Sequence, residues 1–95
     1  MGRAVTKPVH ITINGKRYRL RWVSYRRRVH GECDPPHVPG KEIWIDERLR
    51  GERKLEIIIH EMVHAAAWWL SEEFVSQVAK DIARALVRLG VQFRE

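Results

Sequence analysis

Three residues near the middle of the chain have the types and the spacing of a metal site. His60 and His64 stand four positions apart, so on a helix their imidazoles lie about 40° apart on one face and can reach the same ion. Glu61 follows His60 directly and would lie beside that ion, where a carboxylate can act as general base on a zinc-bound water. The sequence therefore predicts Zn²⁺ as cofactor and hydrolysis of a peptide bond as the reaction.

A third ligand is needed, because a catalytic zinc takes three protein ligands and leaves one position open. No histidine follows His64, and the downstream candidates are Glu72, Glu73 and Asp81. On a second helix that turns by about 100° per residue, Glu72 falls at the edge of the apolar stripe, whereas Glu73 falls in the middle of the polar face. We therefore predict Glu72 as the third ligand, with Glu73 as the alternative.

The surroundings of the motif favour a metal over a purely structural role. The motif lies in a strongly apolar segment, predicted as a helix at 52–69, which should be central and buried. The alternative is a pair of core histidines hydrogen-bonded to a glutamate without an ion. That arrangement would bury three polar groups on one core helix, which costs desolvation free energy. A bound ion would offset this cost.

Polar residues ahead of the motif leave further roles open. The segment from Cys33 to His37 could supply an additional ligand, or the Cys33 thiolate could cap the metal. A buried free thiol in a turn is the simpler interpretation. Four side chains are candidates to polarise a substrate carbonyl. Tyr25 and His37 rank first, only because they fall in a segment predicted to be irregular. The four are Tyr18, Tyr25, His30 and His37.

The first element that must support this helix is a β-hairpin. Apolar residues alternate with polar ones at 9–13 and again after Asn14-Gly15, a dipeptide typical of a type I′ turn. A two-residue turn pairs Ile13 with Lys16, which places the apolar residues of both strands on one face. The opposite face carries Arg17, Arg19 and Arg21 with His10 and Thr12.

The rest of the chain completes an α+β domain. Residues 24–40 are rich in proline and glycine, include a charge run at 26–28, and are predicted to be irregular. A third strand, KEIWID, follows at 41–46, with Ile43 and Ile45 on one side and Trp44 on the other. A second helix is predicted at 72–89, with Ser71 as N-cap and Gly90 as C-cap.

The predicted element order is thus β-β-β-α-α, with a small, antiparallel-rich, three-stranded sheet in a single domain spanning residues 1–95. The second helix should pack through an apolar stripe, and the bulky aromatics around the helix connection should pack the helix hairpin. The stripe is Val75, Val78, Ile82, Leu86 and Leu89, and the aromatics are Trp68, Trp69 and Phe74.

Composition adds limits on partners and compartment. The formal net charge of +6 favours polyanions or an acidic substrate, although arginines also simply solubilise small domains. Weak polyanion binding through Arg17, Arg19 and Arg21 is the specific form of this prediction, although that face lacks the surface aromatics of a single-strand binder. One cysteine excludes an internal disulfide, and no apolar run reaches the ~18 residues of a membrane span, so a cytoplasmic protein with no membrane contact is expected.

The motif and its context resemble a known family. HEMVH followed by a glutamate on the next helix resembles the gluzincins, and more narrowly ImmA/IrrE-type and other very small phage-associated HExxH proteins. The similar region runs from about residue 31 to 90 and contains GECDPP, KEIWID and HEMVHAAAWWLSEE.

In the ImmA/IrrE-type pattern a metal-binding glutamate is followed seven residues later by alanine, a spacing kept by Glu72 and Ala79. Where that pattern has Ala-Asn, this chain has Val75-Ser76. The resemblance implies a gluzincin ligand set. It also implies that the strand before the helix, here 41–46, lines the cleft and pairs with an extended peptide.

Three functions follow from these observations. The first is a zinc-dependent endopeptidase acting on a peptide or protein substrate, with Glu61 as base. The second is a catalytically weak or latent zinc-bound regulatory protein, because 95 residues leave little chain to clamp a substrate. The third is a basic nucleic-acid-binding module in which zinc is structural. The sequence does not determine the oligomeric state.

Overall fold

The computed structural model describes residues 7–25 and 29–93. Its element order is four strands followed by two helices. The strands are β1 (Val9–Ile13), β2 (Lys16–Val23), β3 (Gly31–Cys33) and β4 (Glu42–Asp46). The helices are α1 (Gly51–Ala66) and α2 (Glu72–Arg88). The α+β class is therefore confirmed.

The β1–β2 hairpin has the predicted register. Ile13 pairs with Lys16, and Ile11 pairs with Tyr18. Asn14 and Gly15 have φ angles of 50° and 75°, as a type I′ turn requires. The apolar side chains of both strands consequently share one face, and the arginines of β2 share the other.

The sheet differs from the predicted one in strand number and direction. It has four strands in the order β1-β2-β4-β3, with β4 parallel to β2 and antiparallel to β3. The three-stranded, antiparallel-rich prediction was therefore wrong. β3 was missed because a three-residue strand inside the segment 24–40 is too short to show a period. The charge run at 26–28 lies outside the described residues.

The position of β4 also changes which strand an extended peptide can join. β4 has β2 on one side and β3 on the other, so both of its edges already carry hydrogen bonds. The expectation that residues 41–46 pair with a substrate is wrong for this reason. The edge strands of the sheet are β1 and β3, and β3 is the one next to β4.

The core lies between one face of the sheet and α1. Tyr18, Ile43 and Ile45 are fully buried on the sheet side, and Ile57 and Ala65 are the buried apolar residues of α1. Trp44, between the two isoleucines of β4, is on the opposite face and 37% exposed. Because α1 also packs on α2, it is central in the fold, as predicted.

The connection between the helices departs from expectation. α1 ends at Ala66 instead of 69, and the next residues form a turn that leads to α2. Trp69 is 79% exposed, and Trp68 and Phe74 are also exposed, so the prediction that these aromatics pack the helix hairpin was wrong. The chain must reverse direction within residues 67–71, which leaves bulky side chains on the outside of the turn.

Helix α2 begins and ends close to the predicted positions but packs through smaller residues. Ser71 Oγ accepts a hydrogen bond from the Phe74 backbone N–H at 3.2 Å, and Gly90 has a φ of 96° just after the helix. Its buried row is Val75, Ala79 and Ala83. The two alanines, one and two turns after Val75, let α1 approach closely. The larger residues of the predicted stripe lie to one side of this row, with Ile82 and Leu89 exposed.

The described residues form two helices, α1 with 16 residues and α2 with 17. Neither helix is long and apolar enough to cross a membrane.

Replacing Ala79 with leucine is expected to lower the free energy of unfolding by about 1–3 kcal/mol, because Ala79 is fully buried between the helices. Each kcal/mol corresponds to roughly 4–8 °C in Tm for a domain of this size. Thermal unfolding followed by circular dichroism measures the change. The same substitution at the exposed Ala85 should change stability by less than about 0.5 kcal/mol. Equal losses at both positions would show that the helices do not pack along this row.

Candidate metal centre

The two helices bring the three sequence-predicted ligands together. His60 and His64 lie in the second half of α1, and Glu72 is the first residue of α2. The short connection at 67–71 folds α2 back onto α1, and the Ser71 cap fixes where α2 starts. These local features place the Glu72 carboxylate opposite both imidazoles.

The geometry of this group suits a metal ion. Glu72 Oε2 lies 3.0 Å from His60 Nε2, and Glu72 Oε1 lies 2.8 Å from His64 Nε2. One ligand atom from each residue can be chosen so that all three lie within 4.8 Å of one another. The two imidazole rings are 4.8 Å apart between centroids and meet edge to face. Two nitrogens and one carboxylate oxygen form a donor set typical of catalytic zinc sites.

The protonation states also suit a metal. Burial lowers the pKa of His60, which favours the neutral imidazole that binds metals. Partial burial opposes ionisation of Glu72, but the hydrogen bond from His64 and the charges of the two histidines outweigh it, so the pKa of the Glu72 carboxyl is lowered. Ser76 Oγ donates a further hydrogen bond to Glu72 Oε2 at 3.3 Å.

The present distances require only a small adjustment to accept an ion. Zinc bonds of about 2.0–2.2 Å in a tetrahedral site place neighbouring ligand atoms about 3.4 Å apart. The nitrogen-to-oxygen distances here are shorter, at 2.8 and 3.0 Å. Because the Glu72 side chain is 67% exposed, its carboxylate has room to move away from the imidazoles until these distances match those of a zinc site.

Glu61 lies beside this group on the buried side of α1. It is 8% exposed, and the burial raises the pKa of its carboxyl from 4.5 to about 7. The charge of His64 and a hydrogen bond from the Cys33 thiol act in the opposite direction but do not cancel the burial effect. A carboxyl group with a pKa near neutrality is suited to accept and return a proton at physiological pH.

Gly31 is a functional position that the sequence reasoning missed. A Cβ at this residue would lie 2.9 Å from Ile57 Cγ2 and 3.1 Å from Glu61 Oε2. β3 and α1 therefore approach each other closely at Glu61, where a side chain on Gly31 would collide with Ile57. The one sequence signal was a glycine in a loop-rich segment, where glycine commonly serves only to form a turn.

The group opens into a cavity of about 710 Å³, a size typical of ligand sites. Trp68 lies at its margin, with its ring centroid 6.3 Å from that of His64. Arg53 and Glu56, one or two turns before His60 on α1, form an ion pair at 2.8 Å and also line the cavity. None of these three was predicted as a site residue.

The remaining sequence candidates are spread over the molecule. Cys33 lines the cavity, and burial raises the pKa of its thiol to about 12, so this placement favours a protonated donor to Glu61 over a thiolate cap. His30 also lines the cavity. Tyr25 is buried and donates to Glu32 Oε1 at 3.1 Å. Burial raises the pKa of its hydroxyl, and the nearby Glu32 carboxylate raises it further. His37 is exposed and lies away from the residues that line the cavity.

Three further candidates lie outside the cavity. Tyr18 is buried in the core, and its hydroxyl has no hydrogen-bond partner among the described residues. Glu73 is exposed and is not part of the ligand group. Asp81 accepts a hydrogen bond from Gln77 at 3.0 Å on the exposed side of α2.

Comparisons with protein-family models, with curated proteins and with solved structures found no match for this chain.

The metal-free protein is expected to lose stability relative to a Glu61→Gln variant as the pH rises. The folded-state pKa of Glu61 is about 7 and its ordinary value is 4.5, so the folded chain holds this proton more tightly. The resulting stabilisation is complete below the ordinary pKa and is lost as the pH rises through the folded-state pKa. A shift of this size corresponds to about 3 kcal/mol.

Urea unfolding of both proteins between about pH 4 and pH 8 measures the difference in their free energies of unfolding. The contributions of the other titrating groups cancel in this difference. A difference that stays constant over this range would show that Glu61 titrates at its ordinary pKa.

Glu72→Ala is expected to weaken zinc binding by at least about 100-fold, since loss of an outer-shell partner alone costs 10–100-fold. Glu73→Ala is the matched control and should leave the zinc affinity nearly unchanged, because Glu73 is not part of the ligand group. Competition with a chromogenic chelator measures both affinities. The reverse order would transfer the ligand role to Glu73.

Proposed function

We propose that this chain is a zinc-dependent peptide-bond hydrolase of the HExxH type. The observation that carries the proposal is the convergence of His60, His64 and Glu72 within 4.8 Å, next to the buried Glu61. These residues supply a complete three-ligand set with a separate carboxyl group for proton transfer. Burial of the Glu61 carboxyl costs stability that the neighbouring His64 offsets only in part, and a catalytic role accounts for that cost.

The chain's own residues would divide the chemistry as follows. Zinc, when bound, would supply Lewis-acid polarisation of the scissile carbonyl and of the attacking water. Glu61 takes the proton from that water and returns it to the leaving amine, a task for which a pKa near 7 is suitable. The Cys33 thiol lines the same cavity as Glu61, and the close approach at Gly31 keeps the carboxyl group in place.

The sheet edge supports an extended peptide as the substrate. β3 is the edge strand, and its residues Gly31 and Cys33 line the cavity. A peptide that adds to β3 through main-chain hydrogen bonds would run across the cavity and bring one of its bonds to the ligand group. The exposed ring of Trp68 at the cavity margin offers an apolar contact for a substrate side chain.

Glu61→Gln is expected to retain stoichiometric zinc and to lose at least about 100-fold in cleavage rate, because the amide keeps the shape of the side chain but cannot accept the proton. Elemental analysis and cleavage of a peptide library measure the two properties on the same preparation. Glu73→Gln, the same substitution on an exposed residue of α2, should retain both properties.

Full turnover in Glu61→Gln would rule out this mechanism. If the wild-type protein binds zinc stoichiometrically but cleaves no peptide in the library, the latent zinc-bound alternative replaces the proposal.

A further inference from the structure

The outer face of the sheet, opposite α1, carries a second site candidate. A groove of about 440 Å³ on this face is lined by His10, Lys16, Arg17, Arg19, Gly40 and Lys41. Every side chain in this set is basic or an imidazole, and no carboxylate of the described residues lines the groove. A concave surface of one sign focuses the field and attracts polyanions. The net charge of +6 acts in the same direction.

The charges in this groove are only partly neutralised. Among the residues that the structure describes, Lys16, Arg17 and Lys41 have no ion-pair partner. Arg19 and Arg21 share the Glu42 carboxylate, at 3.2 and 3.0 Å. One carboxylate thus pairs with two guanidinium groups, so these three side chains together keep a net positive charge.

An aromatic side chain, Trp44, lies on the same face of the sheet but outside the groove, in a small pocket that it shares with Glu32, Asp34 and Glu42. Trp44 of β4 is the register partner of Arg21, and it shares the outer face with Arg21. The ring is 37% exposed, and its Nε1–H donates to Glu42 Oε1 at 2.6 Å, which fixes its orientation. Trp44 belongs to β4 and adds an aromatic to the sheet beside the hairpin, whose own outer face carries none among the described residues. The strand register places this indole between Arg21 of β2 and Glu32 of β3, and its exposed part is suited to stack on a nucleobase of a strand whose phosphates lie in the basic groove.

We propose that the outer face binds single-stranded nucleic acid, with phosphates in the basic groove and a base stacked on Trp44. A duplex would use the cations but would leave the indole without an unstacked base, so the aromatic favours a single strand. The groove and the metal centre lie on opposite sides of the sheet. The proposal therefore does not depend on zinc binding or on peptide hydrolysis.

Fluorescence anisotropy with a labelled oligothymidylate of about 20 nucleotides tests the proposal, since single-strand sites span roughly 4–16 nucleotides. The double variant Arg17→Glu/Lys41→Glu should weaken binding more than about tenfold and reduce the slope of log K against log salt by about 1.4, for two lost phosphate contacts. Lys80→Glu/Arg88→Glu makes the same charge change on the exposed side of α2 and should have a much smaller effect. Equal losses in the two double variants would overturn the proposal.

Two further variants separate stacking and local charge from bulk electrostatics. Trp44→Ala should weaken binding by roughly tenfold without changing the net charge. Glu42→Gln should tighten binding, because it releases Arg19 and Arg21 while an amide oxygen still accepts the Trp44 Nε1–H. Circular dichroism checks that each variant is folded. No binding of the oligothymidylate at low salt, tighter binding of a duplex of equal length, or binding of heparin alone would each overturn the proposal.

Discussion

The packing of α1 between β3 and the first turn of α2 is the constraint on which the candidate site depends. One side of α1 presents Ile57 and Glu61 to Gly31, with a separation that no side chain at this position would allow. Another side presents the two histidines to Glu72. A shift of α1 by part of a turn would break both relationships together, because the residues that make them alternate along the same two turns of helix.

Burial of Glu61 shows how stability and chemistry are linked in this small domain. Removal of its carboxyl group from water raises the pKa to about 7 and destabilises the ionised form. The Cys33 thiol and the nearby His64 offset part of that cost. A chain of 95 residues has a modest core, so a penalty of this kind is a substantial fraction of its stability. Zinc bound to the neighbouring ligands would restore stability through binding free energy.

The sheet separates two surfaces of different chemistry. Its inner face is apolar and supports α1, so the candidate metal ligands are held by packing. Its outer face carries Arg17, Arg19 and Arg21 on alternate positions of β2, with Glu42 and Trp44 on the adjacent β4. The period of two that buries Tyr18 and Leu20 therefore also places the basic residues in a row. One alternating sequence pattern thus accounts for both the core and the basic surface.

The sequence by itself determined the features whose causes are local. The register of the β1–β2 hairpin follows from alternation and from a two-residue turn. The start of α2 at Ser71 follows from capping chemistry, and the orientation of Glu72 rather than Glu73 toward α1 follows from helical phase. The spacing of His60 and His64 needs only a helix to place both imidazoles on one face.

Only the tertiary structure decided the features that depend on distant segments. β3 and the parallel pairing of β2 with β4 rest on backbone hydrogen bonds, which almost any residue can make, so the side-chain pattern does not reveal them. The buried row of α2 was set by close approach to α1, which selected Ala79 and Ala83 over larger neighbours. The role of Gly31 exists only when β3 lies against α1, because the contact that excludes a Cβ belongs to a helix about 30 residues further along the chain.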